Sequence, residues 1–329
     1  MSLFLSVLAV TAGLAALVWS ADRFVDGAAA TARLLGVPAL LVGMVVIGFG
    51  TSAPELTVSA ISSWRGNSSI ALGNAWGSNI CNVALILGVA AAIRPLVVRR
   101  SALRFDLPIL FVTTALAWFL LADGTVSRAD AWILLAAFAA WLGASVRRAL
   151  RGDRTPDAAA QAPDGGLSGR AAAFWTVAGL VVLVGSSRLL VWGATELARA
   201  VGVSDLMIGL TVVAVGTSLP ELASSIAAAR KGEDDLAVGN VIGSNLFNTL
   251  AVVGLAGAIR PMDAIDPAVH GRDVPWAFLL TGTLLFLLPF PNGFTKTAQR
   301  RLERAGGLFL LVLYAAYLAL LVRAALLAR

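Results

Sequence analysis

The sequence predicts an all-α integral membrane protein with about ten transmembrane helices, arranged as two inverted five-helix repeats. Three observations carry that prediction. Apolar residues make up 58% of the 329-residue chain and charged residues only 13%, about half the charged share of a typical soluble domain. Apolar stretches long enough to cross a bilayer recur along the chain. A segment of the first half also returns in the second, in register.

Hydropathy and helix breakers place the spans at 2–31, 37–62, 69–93, 105–122, 128–149, 172–198, 206–229, 236–259, 273–290 and 306–326. The first is apolar from Met1 to Ser20 and lacks the basic leader of a cleaved signal peptide, so it reads as part of a span. The second and seventh carry Pro54 and Pro220 in mid-span. The longest hydrophilic stretch, 151–170, is rich in Pro, Gly, Ala and Asp and reads as a flexible linker. It separates a first repeat at 1–150 from a second at 171–329. Glu233, Asp234 and Asp235 read as a solvated loop between the seventh and eighth spans.

Net charge is +6. No aromatic-basic patch accompanies it, so the excess reads as loop arginines held on the cytoplasmic side of a lipid bilayer, not as a nucleic-acid surface. With the N-terminus outside, cytoplasmic loops hold 16 of the 25 basic residues and outer segments hold seven. This bias places both termini outside and the linker inside. Cys81 is the one cysteine and His270 the one histidine. That excludes an intrachain disulfide and a Cys/His metal cluster, and leaves an intramembrane enzyme without a Ser/His set. The chain is expected not to be an enzyme, and to carry no resident cofactor.

The internal repeat is strong. Residues 43–95 align with 209–261 at a constant offset of 166, with 23 identities in 53 ungapped positions. Chance does not hold such a register. Gly50-Thr-Ser-Ala-Pro-Glu55 returns as Gly216-Thr-Ser-Leu-Pro-Glu221, and Gly73-Asn-x-x-Gly-Ser-Asn-x-x-Asn82 as the equivalent run at 239–248. Five spans per copy is an odd number, so the second copy inserts upside down. In inverted-repeat transporters the binding site lies near the midplane, where interrupted helices of the two copies meet.

Glu55 and Glu221 sit in mid-span. A carboxylate there costs about 2.5–3.5 kcal/mol on insertion scales, so a matched pair demands a neutralising cation or protons. Pro54 and Pro220 each remove a backbone donor, and Gly50 and Gly216 ease the bend. The break leaves carbonyls to face a cation. Thr51, Ser52, Thr217 and Ser218 add hydroxyls. Ser78 and Asn82, like Ser244 and Asn248, are spaced to share a helical face. This all-oxygen set with two charges suits a hard cation such as Ca²⁺ and offers no soft ligand for Cu or Zn. Other repeated residues carry plainer readings. Gly73, Gly77, Gly239 and Gly243 read as helix-packing residues. Asn74, Asn79, Asn240 and Asn245 read as packing amides that bond between helices, with support of the site's ligands as the alternative, and Ser59 and Ser225 as backbone-bonded. Asp22, Asp26 and Glu196 lie toward span ends.

The paired motifs resemble the two α-repeats of the Ca²⁺:cation antiporters, the sodium/calcium exchanger family, most closely its bacterial inner-membrane branch. The likeness covers nearly the whole chain. It implies Ca²⁺ held by Glu55 and Glu221 with the carbonyls of Gly48 and Ala214 and the oxygens of Thr51 and Thr217. It also implies flanking Na⁺ sites lined by Ser52, Ser218, Ser78 and Ser244. The activity implied is electrogenic Na⁺/Ca²⁺ exchange by alternating access, in which helices 1 and 6 slide across the remaining eight. A single chain is expected to be the transport unit. Some members carry Asp where this chain has Asn248, which leaves two carboxylates and opens the Na⁺ count, K⁺ dependence and H⁺ coupling. A proton-coupled exchanger of Ca²⁺ or another divalent cation is the alternative reading.

Overall fold

In a computed structural model, the described residues are 3–99, 101–150, 167–202, 214–288 and 300–327. They form α1 (Leu3–Leu35), α2 (Ala39–Thr51), α3 (Ala53–Trp64), α4 (Ser68–Ile93), α5 (Ala102–Leu120), α6 (Arg128–Leu150), α7 (Gly169–Ala200), α8 (Ala214–Thr217), α9 (Leu219–Lys231), α10 (Asp234–Ile259), α11 (269–287) and α12 (Arg304–Leu327). A two-stranded sheet pairs β1 (Leu96–Val98) with β2 (Arg300–Leu302).

Seven of these helices are long and apolar enough to cross a membrane, and α2 with α3, bent by 45°, makes up to eight. The ten expected spans are all met by helix over their described parts. The seventh is described from Ala214 onward, and its helix is interrupted at Ser218. The ninth opens with a π turn, Val269–Asp273, which carries His270, Arg272 and Asp273 and leaves 14 α-helical residues. Most of the linker, 151–166, lies outside the described residues. The sheet was not foreseen, because three-residue strands show no periodicity. Asp234 and Asp235 correct the expected solvated loop. They open α10, and are 8% and 9% exposed.

Packing divides the chain into two compact units that cut across the sequence halves. One comprises Met1–Thr57 and Ala139–Ser244, the other Val58–Phe138 and Asn245–Arg329.

In the first unit α1 and α7 lie against each other along their length. A Cβ on Gly13 would meet Leu190, and one on Gly179 would meet Phe24. Gly27 likewise meets Trp175 and Thr176, and Gly193 meets Ser6, Ala9 and Val10. As numbers rise on one helix they fall on the other, so the two run antiparallel. The 166 offset turns Gly13 into Gly179 and Phe24 into Leu190, so each contact has its mirror in the other copy. Small residues at the seam let the backbones approach, which is how helices associate without a hydrophobic drive. Large apolar side chains of α1 such as Phe4, Leu8 and Leu14 remain exposed, as a lipid-facing surface requires.

Gly239 and Gly243 are packing residues as expected. A Cβ on Gly239 would lie 2.5 Å from the Leu40 carbonyl, and one on Gly243 would strike Met44. Gly73 and Gly77 differ, since a Cβ on either meets nothing within 4 Å among the described residues. In the second unit, Phe111 and Trp118 of α5 pack on Phe278 of α11 at 4.5 and 5.2 Å between centroids. Gly307 of α12 abuts the Gly88 carbonyl of α4.

Candidate functional site

The site grows from two backbone interruptions. Helix α2 ends at Thr51, Ser52 turns at φ −82° and ψ 3°, and α3 starts at Ala53. The second copy repeats the geometry, with α8 ending at Thr217, Ser218 at φ −92° and ψ 9°, and α9 starting at Leu219. Proline causes both breaks by lacking the N–H that would close the preceding turn. Pro54 leaves the Gly50 carbonyl without its helical donor, and Pro220 does so for Gly216. The Gly216 carbonyl instead accepts from Ser187 Oγ of α7 at 3.0 Å.

Gly48 O accepts the Ser52 N–H at 3.0 Å, and Thr51 Oγ1 and Ser244 Oγ each lie 3.5 Å from it. The Ser218 N–H bonds Val215 O at 3.1 Å.

Glu55 and Glu221 are 0% and 1% exposed. Each accepts a hydroxyl from the other copy. Ser52 Oγ donates to Glu221 Oε1 at 3.2 Å, and Ser218 Oγ to Glu55 Oε1 at 3.4 Å. Glu221 Oε2 has no hydrogen-bond partner among the described residues, and no ion pair there includes Glu221. A buried ionised carboxylate is costly unless paired, so this oxygen points to a cation or a proton. Thr51 is fully buried, and its Oγ1 lies 2.9 Å from Ile47 O and 3.2 Å from Asn240 Oδ1. Ser244 Oγ lies 3.5 Å from both Gly48 O and Asn240 Oδ1. Thr217 is half-buried in α8.

The first unit thus holds Gly48, Thr51, Ser52, Glu55, Ala214, Thr217, Ser218, Glu221 and Ser244. Ser78, Asn82 and Asn248 belong to the second. There Asn82 Nδ2 donates to Asn245 Oδ1 at 2.9 Å, and Asn79 Nδ2 to Thr249 Oγ1 at 2.8 Å. Asn248 is fully buried, and neither of its amide atoms has a partner among the described residues. Ser78 is 3% exposed. Both helices widen into π turns, Cys81–Ile86 and Phe247–Val252, just after these serines. That re-phases the expected Ser/Asn face, and such turns often mark functional sites.

Sequence reasoning missed Ser187 because the offset pairs it with Ala21, so repetition gives no signal. It undervalued Asn240, although the repeated Gly-Asn motif displays it. The expected main-chain bond of Ser59 is present, to Ala71 O at 2.9 Å. Ser225 instead accepts from Asn240 Nδ2 at 2.8 Å. Asp22 and Asp26 both face Lys231 Nζ, at 3.7 and 2.7 Å.

Comparison with known proteins gives relatives of the whole chain. The family described as sodium/calcium exchanger protein matches residues 5–147 and 171–323. The inner membrane protein YrbG of Escherichia coli (strain K12) is 42% identical over 283 residues, covering 84% of this chain and 86% of its own. The sodium/calcium exchanger MaX1 of Methanosarcina acetivorans is 29% identical, covering 94% and 96%. Among solved structures, the sodium-calcium exchanger NCX_Mj soaked with Na⁺ and Sr²⁺ superposes at a TM-score of 0.83. It is 29% identical, with 97% of this chain and 99% of that one covered.

Proposed function

The chain belongs to the sodium/calcium exchanger family, and from that premise we propose that it exchanges Ca²⁺ for Na⁺ across the membrane by alternating access, with the ions held between Glu55 and Glu221. The family is one of multi-pass membrane antiporters, not of enzymes. The observation that carries the proposal is the crossed pairing, in which each copy's serine donates to the other copy's buried glutamate. Two carboxylates balance one Ca²⁺ or two Na⁺ ions. Either load gives a neutral site, so the exchange proposed is electroneutral, in place of the electrogenic exchange that the resemblance implies, while an unloaded dianion resists passage through a low-dielectric barrier. Coupling follows from that charge rule.

A cation in the site would take oxygens from Thr51, Ser52, Thr217, Ser218 and Ser244 as their O–H bonds turn away, with the carbonyls of Ala214 and Gly48. Ser78, Asn82 and Asn248 would line the flanking positions. Ten helices in two inverted repeats, 1–150 and 171–329, fit the antiparallel seam of α1 and α7, whose contacts exchange under the repeat offset. In the inner membrane, both termini would face outward and the 151–170 linker the cytoplasm, with one chain as the transport unit.

The test is Ca²⁺ uptake into proteoliposomes loaded with Na⁺ and diluted into Na⁺-free buffer, beside a control driven by ΔpH alone. Uptake that requires the Na⁺ gradient, and is abolished by Glu221→Gln in a folded protein, supports the proposal. Uptake driven by ΔpH without Na⁺ replaces it with proton coupling. Wild-type flux in Glu221→Gln removes the glutamate from the mechanism.

A further inference from the structure

We propose that Asn240 is a positioning residue that sets the distance between the two halves of the ion site, and through it the ion-size preference of the exchanger. This rests on the antiporter reading above. Asn240 is 1% exposed, on α10. Its Nδ2 lies 3.2 Å from Glu221 O, 3.1 Å from Ser224 Oγ and 2.8 Å from Ser225 Oγ. Its Oδ1 lies 3.2 Å from Thr51 Oγ1 and 3.5 Å from Ser244 Oγ.

The network fixes which way the amide faces. Glu221 O only accepts, so the nitrogen must face it. Ser224 Oγ lies 2.7 Å from Pro220 O and 3.1 Å from Glu221 O, carbonyls that take its one proton, so it accepts from Asn240; of the two Nδ2 protons, one goes to Ser225 Oγ at 2.8 Å and the other is shared by Ser224 Oγ and Glu221 O. Oδ1 therefore faces Thr51 and Ser244, sharing the one Thr51 proton with Ile47 O at 2.9 Å and the one Ser244 proton with Gly48 O at 3.5 Å. Both hydroxyls have only acceptors there to donate to, so their lone pairs stay available to a cation.

One side chain thus spans from Thr51, at the end of α2, to the main chain of Glu221, at the start of α9. These elements come from different copies of the repeat, and both carry oxygens of the proposed site. A rigid bridge holds their spacing, and cation discrimination depends on cavity size and rigidity. The arrangement is not a packing accident, since the first copy repeats part of it. Asn74 Nδ2 donates to Ser59 Oγ at 2.9 Å, and the 166 offset maps this pair onto Asn240 and Ser225.

The experiment compares Ca²⁺ with Sr²⁺ as the transported ion in Na⁺-loaded proteoliposomes, for wild type, Asn240→Ala and the smaller change Asn240→Ser. The expected result is an apparent KM for Ca²⁺ raised by about tenfold, with the Sr²⁺-to-Ca²⁺ ratio of Vmax/KM moving toward one. A purely structural amide would lower the folded fraction, and so Vmax for both ions, and leave that ratio and KM unchanged. That outcome in both variants overturns the proposal. A wild type with no cation exchange overturns the antiporter reading first, and this inference with it.

Discussion

Gly50→Ala tests whether α7 seats directly on the interrupted turn of the site. A Cβ at Gly50 falls 2.5 Å from Cδ2 of Leu180 and 3.0 Å from its Cδ1. Carbon atoms in contact stand about 3.5–4.0 Å apart, so the overlap is about 1 Å. The obstructing atoms end a flexible side chain, which places the cost at the low side of the overpacking range, about 1–2 kcal/mol. If α7 must return to this seat in each cycle, turnover falls about 5- to 30-fold. The assay is the initial rate of Na⁺-driven Ca²⁺ uptake at matched incorporation. Leu180→Ala removes the two methyl groups that collide, so Gly50→Ala/Leu180→Ala is expected to recover most of the rate, and the shortfall from additivity measures the contact. Wild-type turnover in Gly50→Ala, or a defect that Leu180→Ala does not relieve, refutes the reasoning.

Two further outcomes follow from the same geometry. Ser52→Ala removes the hydroxyl from Glu221 Oε1 and Ser218→Ala the one from Glu55 Oε1. Hydrogen bonds to charged groups contribute about 1.5–3 kcal/mol, and these are long, so each variant is expected to raise half-maximal Na⁺ by about tenfold, read from the Na⁺ dependence of Ca²⁺ efflux. Gly239→Ala places a Cβ 2.5 Å from Leu40 O and 3.1 Å from the backbone of Gly43 and Met44. Backbone atoms cannot rotate away, so destabilisation of about 3 kcal/mol is expected as a lower melting temperature in detergent.

Much of this was legible because the bilayer imposes it. Lipid offers no hydrogen bonds, so lipid-facing backbone must be helical and only backbone buried in protein can be interrupted, and over the described residues helices lie where hydropathy placed spans. The cost of burying charge made Glu55 and Glu221 conspicuous, and duplication made them a pair. Proline chemistry announced both interruptions, since a missing N–H is a property of the residue and not of its neighbours.

Other features depend on what comes near in space. The crossed bonds from Ser52 to Glu221 and from Ser218 to Glu55 join residues more than 160 positions apart, and the motif places each serine beside its own glutamate. Asn240 looked like a packing amide because its five partners come from α2, α9 and α10, which hydropathy cannot assemble. Ser187 has no repeated counterpart and became visible only where Pro220 had freed a carbonyl. The sequence by itself determined which groups are too costly to bury alone. The tertiary structure alone decided which partners relieve that cost, because hydrogen bonds and close packing depend on distances of a few ångströms that one-dimensional spacing does not contain.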